Sequence, residues 1–65
     1  MKRVRLLKDY QNFQKGTPFL VITESEFIGV KEYVLRTYDL HHRLLITDKE
    51  YATLFSQIWK NEPLL

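Results

Sequence analysis

Apolar and polar residues alternate near the start of the chain, where Val4 and Leu6 interleave with Arg3 and Arg5. A period of two marks a half-buried strand and predicts one over residues 2–8. Leu7 breaks the alternation, as a bulge or barrel corner would. Asp9 to Lys15 reads as a loop, with Asp9, Asn12 and Gly16 as turn residues and Tyr10 and Phe13 inside it. Those two rings either fold back onto the core or face a partner. Pro18-Phe19-Leu20-Val21-Ile22-Thr23 is apolar and partly β-branched, which predicts a buried strand over 18–23 with proline in its first position. Glu24-Ser25-Glu26 is read as the turn that follows.

The next stretch, about 28–38, fits two patterns. As a strand it places Ile28, Val30, Val34 and Tyr38 on one face with Glu32 and Arg36. As a helix it gathers Phe27, Val30, Val34, Leu35 and Tyr38 into a stripe, with Thr23 and Glu26 as a capping box. Gly29 opposes the helix, and Val, Tyr and Thr between 33 and 38 favour the strand, which is the preferred reading. Asp39 to His42 suits a hairpin loop, and Arg43-Leu44-Leu45-Ile46 a returning strand over 43–46.

The C-terminal region carries the clearest helix signal, over about 48–60. Thr47 and Glu50 form a capping box, with Ile46 and Tyr51 at the flanking staple positions. Asp48 and Glu50 place negative charge at the positive helix end. Tyr51, Leu54, Phe55, Ile58 and Trp59 then share one face, and Asn61 and Pro63 are stop signals. Pro63-Leu64-Leu65 leaves two leucines that either tuck against the helix or form a small contact. Ile22-Thr23-Glu24-Ser25-Glu26-Phe27 echoes Ile46-Thr47-Asp48-Lys49-Glu50-Tyr51, but six positions are too few to establish a repeat.

The expected fold is therefore mainly β (α+β): an antiparallel barrel or curled sheet of about four strands, with a C-terminal amphipathic helix. The alternative is two helices on a three-stranded sheet. All 65 residues fall into one domain. A chain this short buries only about 60% of its surface. With no cysteine, disulfides and cysteine-based zinc sites are excluded, so stability must come from packing or self-association. Four Phe, four Tyr and one Trp provide enough bulk for one core. No apolar run of about seven residues follows the basic start, so no export signal is read and the cytoplasm is expected. No stretch reaches the roughly 18 apolar residues of a membrane span.

Charge is uneven although the net is only +2. Residues 1–15 hold Lys2, Arg3, Arg5, Lys8 and Lys15 against Asp9, so the N-terminal end is positive on a nearly balanced body. Catalytic signals are sparse. Ser25 and Ser56 are the only serines, no cysteine nucleophile exists, and two glycines cannot build a phosphate loop. No enzyme activity, metal or cofactor is expected. His41-His42 point to opposite faces if extended and chelate poorly without Asp39 or a second chain. Glu24, Glu26 and Glu32 read as solvated surface. The best candidate binding set is Arg3, Arg5, Lys8, Tyr10 and Phe13, joined across the sheet by Arg36 and Arg43. A positive groove with aromatic platforms suits single-stranded nucleic acid. The same charges also suit an acidic protein partner, or protection of an exposed sheet edge.

The opening Val4-Arg5-Leu6-Leu7-Lys8-Asp9-Tyr10, with Phe13, Lys15 and Gly16, resembles the first hairpin of small SH3-like barrel proteins of bacteria and bacteriophages. Tyr33-Val34-Leu35-Arg36-Thr37 and Arg43-Leu44-Leu45-Ile46 fit their later hairpin. The resemblance implies the fold and a mobile-element setting rather than an activity. The aromatic pattern that binds proline-rich peptides in eukaryotic SH3 domains is missing, so that recognition is not implied. The expected function is a non-enzymatic protein-interaction module, such as a phage or prophage regulator or inhibitor. The alternative is a nucleic-acid-binding module using the basic first strand and the aromatic loop.

Overall fold

A computed structural model describes residues 2–58. Five strands and one short helix follow each other as β1 (Arg3–Leu6), β2 (Pro18–Phe27), β3 (Val30–Thr37), β4 (Arg43–Thr47), α1 (Asp48–Leu54) and β5 (Phe55–Gln57). All strands are antiparallel, in the order β4-β3-β2-β1-β5, and the sheet is curled but open.

One face of that sheet makes the core. Val4 and Leu6 of β1, Phe19 and Val21 of β2, Tyr33 and Leu35 of β3, Leu44 and Ile46 of β4, and Phe55 of β5 are all buried. They occupy alternate positions, as strand pleating requires. The rings lock this face together. Phe19 meets Phe55 edge-on at 5.5 Å, and Tyr51 of α1 stacks on Tyr33 at 4.0 Å between centroids. Leu54 is the buried residue of α1.

The ambiguous third segment is a strand, and the helix start lies where the capping signals place it. Thr47 accepts from the backbone N–H of Glu50, whose carboxylate accepts from the N–H of Thr47 at 3.0 Å. The helix end, however, corrects the sequence reading. It stops at Leu54 rather than continuing toward residue 60, and 55–57 becomes a fifth strand. Phe55 turns extended (φ −128°, ψ 149°), and its residue pairs with Leu6. The pairing explains the switch. A longer helix would leave one edge of β1 without partners, whereas β5 supplies them: Arg5 pairs with Ser56 and Val4 with Gln57. Just past the strand, Ile58 N–H donates to Arg3 C=O at 2.8 Å. Phe55 is still buried, but through period two instead of the helical stripe. Trp59, the stop signals Asn61 and Pro63, and the two terminal leucines lie outside the described residues.

A second correction concerns the turn after the second strand. Glu24-Ser25-Glu26 is not a turn: β2 runs on to Phe27, and the chain reverses at Ile28-Gly29. The register shifts between Val21 and Thr23, leaving Ile22 as a bulge. Beyond the bulge the hairpin leaves the core, and every residue from Ile22 to Glu32 is exposed. The first strand is also shorter than expected. It ends at Leu6, and exposed Leu7 begins the loop.

Candidate functional site

Four surface regions hold the side chains to be weighed. The first is the outer face of the sheet. Arg3 pairs with Leu20, Leu20 with Arg36, and Arg36 with Arg43. Paired residues share a face, so these four form one rung on the side away from the core. Strands about 4.8 Å apart give the rung a span of about 14 Å from Arg3 to Arg43. Arg5, two residues along β1, lies on the same face. Arginines directly opposite one another repel, and Arg36 turns a guanidinium N–H to the carbonyl of Leu40 at 3.1 Å. The rung itself contains no carboxylate.

The loop between β1 and β2 is the second region. Asp9 accepts from the backbone N–H of Lys15 at 2.8 Å, and Gly16, with φ of +92°, donates its N–H to Leu6 C=O at 2.7 Å. Within this frame Tyr10 and Phe13 bridge each other and fold back against the core. Phe13 packs edge-on against Phe19 at 5.2 Å and His42 at 5.8 Å. Tyr10 donates its hydroxyl to Glu50 at 3.0 Å. That bond raises the Tyr10 pKa, while Glu50 is held below the usual carboxylate range, first by the Thr47 N–H and then by Tyr10. Lys8 is exposed in the loop.

The seven residues singled out from sequence therefore divide. Arg3, Arg5, Arg36 and Arg43 come together on the outer face. Tyr10 and Phe13 pack on the core side, so the expected pairing of cations with aromatic platforms is not assembled on one surface.

The third region, the turn between β3 and β4, places the histidines. Asp39 accepts from the Thr37 hydroxyl at 2.6 Å and from His41 N–H at 3.0 Å, which lowers its pKa, the Thr37 bond contributing most. The carboxylate thus organises the turn. Among the described residues no group of three His, Asp or Glu side chains is placed to hold a metal ion. Ser25 on the hairpin arm and Ser56 on β5 are exposed and sit at other parts of the sheet from the histidine turn.

The fourth region is the tip of the β2–β3 hairpin, which carries no signal in the sequence pattern. Phe27 is 76% exposed, Ile28 85% and Val30 53%. Phe27 pairs with Val30, leaving a two-residue turn in which Ile28 (φ +51°) and Gly29 (φ +76°) are both left-handed. Such turns favour Asn-Gly or Asp-Gly. A β-branched residue there is a steric outlier. An Asn-Gly pair would have marked the turn in the sequence; Ile-Gly, flanked by apolar residues, looked like strand interior.

Set against protein-family models, curated proteins and solved structures, the chain matches none. No helix among the described residues is long and apolar enough to cross a membrane.

Proposed function

We propose that this chain is a non-enzymatic protein-interaction module that docks through its β2–β3 hairpin arm. The observation that carries the reading is Ile28. It is the most exposed large apolar side chain described, it occupies a backbone conformation that opposes its shape, and Phe27 and Val30 flank it. Strain of this kind persists where function requires the side chain, and an exposed apolar cluster is what a partner buries. The proposal extends to the fold family. β1 with β2 and β3 with β4 pair as the two hairpins of an SH3-like module would, which supports reading the open sheet as a variant of that design. A small regulator or inhibitor of a phage or other mobile element is the role this reading favours.

The test is capture from lysate of the source cells by the immobilised wild-type chain and by a triple variant, Phe27→Ser, Ile28→Asn and Val30→Thr. A protein retained only by the wild type, and rebound after purification with the same dependence, is the expected result. Equal retention by both baits would remove the hairpin as the docking site.

A second reading is favoured by the arginine rung. Four guanidinium groups on one face can follow a phosphate backbone, here without stacking platforms beside them. Nucleic-acid binding of this kind would weaken steeply with salt and would fail in the Arg3→Ala, Arg36→Ala, Arg43→Ala variant.

A further inference from the structure

β1 covers one edge of β2 only part of the way. The ladder ends where Leu20 faces Arg3 and the N–H of Val21 donates to Lys2 C=O at 2.9 Å. From Thr23 to Phe27, β2 is paired with β3 on one side, while no described residue pairs with its other edge. An open edge of extended backbone is a template for another strand. The β4 edge is also unpaired among the described residues, but β4 is half the length of β2 and lies beside the core, whereas the β2 edge stands on the exposed arm.

The side chains along this edge select the occupant. Glu24 and Glu26 lie on one face of β2, with Thr23, Ser25 and Phe27 on the other, since Glu24 pairs with Tyr33 and Thr23 with Val34. Two copies joined antiparallel about Ser25 would set Glu24 opposite Glu26 in both directions, and like charges directly opposite are unfavourable. A second copy of this chain is therefore disfavoured. A strand with basic side chains at alternate positions meets the opposite situation. Lys2 already reaches Glu24 from this side at 3.6 Å, with both side chains about half exposed, so a cation is accommodated there. Lys31, opposite Glu26, lies on the far side of β2 from the open edge and leaves that approach clear.

We infer that the Thr23–Phe27 edge binds an extended segment of a partner protein by strand addition. The incoming residues facing Glu24 and Glu26 are basic, and the residue beside Phe27 is apolar. This deepens the proposed docking role of the arm and rests on it: backbone pairing supplies affinity, and the alternating side chains supply selection.

The test is an amide-resolved NMR titration of the full chain with a synthetic seven-residue peptide of alternating lysine and valine. Two controls replace lysine by glutamate, or valine by proline, which cannot complete a ladder. The expected result is shifts confined to 22–27 and to Lys2, which contacts Glu24, with slowed hydrogen exchange at the edge-facing amides of 22–27, all absent with both controls. Binding should be roughly tenfold weaker in the Glu24→Lys, Glu26→Lys variant, as two reversed cross-strand pairs imply. Shifts elsewhere, or no response, would overturn the inference. So would uniform amide protection over 23–27 in the free protein, because the edge would then be covered by the chain itself. If the peptide fails while the triple tip variant still loses a captured protein, strand addition falls and the docking role of the tip stands.

Discussion

At the scale of single residues, Ile28 stands against local preference and Thr47 agrees with it. A left-handed residue with a side chain costs about 1–2 kcal/mol relative to the right-handed region, and after glycine asparagine is among the residues that tolerate it. Ile28→Asn should therefore raise the unfolding free energy by about 1 kcal/mol. Urea denaturation checks this, and a clear loss of stability would mean the side chain supports the fold. Thr47→Ala should cost about 1 kcal/mol, the usual value of an N-cap, because it removes the acceptor for Glu50 N–H. The carboxylates add a pH dependence of definite sign. Asp39 and Glu50 both have folded pKa values lowered by hydrogen bonds, so each contributes stability above its unfolded pKa and loses it as pH falls through the folded value. Stability should drop on acidification below the ordinary carboxylate range, and the slope should shrink in Glu50→Gln. A thermal melt series across acid pH reads it; an unchanged slope would show that the Thr47 and Tyr10 bonds are absent in solution.

Among the elements, what the sequence made legible was what local chemistry decides. Val4 and Leu6 in alternation and the Thr47–Glu50 box each carry their signal within a few residues, and both elements form where that signal lies. The echo between Ile22–Phe27 and Ile46–Tyr51 shows where local chemistry stops. The first copy continues β2, because Gly29 and the β-branched residues beyond it disfavour a helix and β3 offers a partner. The second begins α1, followed by Ala52, Thr53 and Leu54. Phe55 was illegible for a related reason. Its place in a helical stripe and its place opposite Leu6 are equally consistent with burial, and only the unpaired edge of β1, distant in sequence, decides between them. Phe55→Ala should destabilise by about 3–5 kcal/mol, since it leaves a cavity beside Phe19. For a domain of 65 residues that approaches full unfolding, visible as collapse of amide dispersion. The candidate site was half legible. The arginines share a face because pleating and register put them there. Tyr10 and Phe13 turned inward because a loop's ring orientation follows from tertiary contacts with Glu50 and Phe19.

Taken whole, the molecule sets its arginine rung apart from the apolar tip of its hairpin arm. One end of the outer face holds the arginine rung, and the projecting arm holds the glutamates and the apolar tip. The two surfaces predict different responses to salt. A partner held by the tip should keep most of its affinity between low and moderate salt, while a phosphate ligand on the rung should lose it steeply. On the proposed reading the tip keeps Ile28 for contact, at the expense of the turn. The most direct measurement is the affinity of the wild type and of Ile28→Asn for the purified captured partner, by calorimetry at one salt concentration, alongside the stability of both proteins. The expected result is a more stable variant that binds roughly tenfold or more weakly, as loss of a central apolar anchor does. A variant that is more stable and binds as well as the wild type would contradict it.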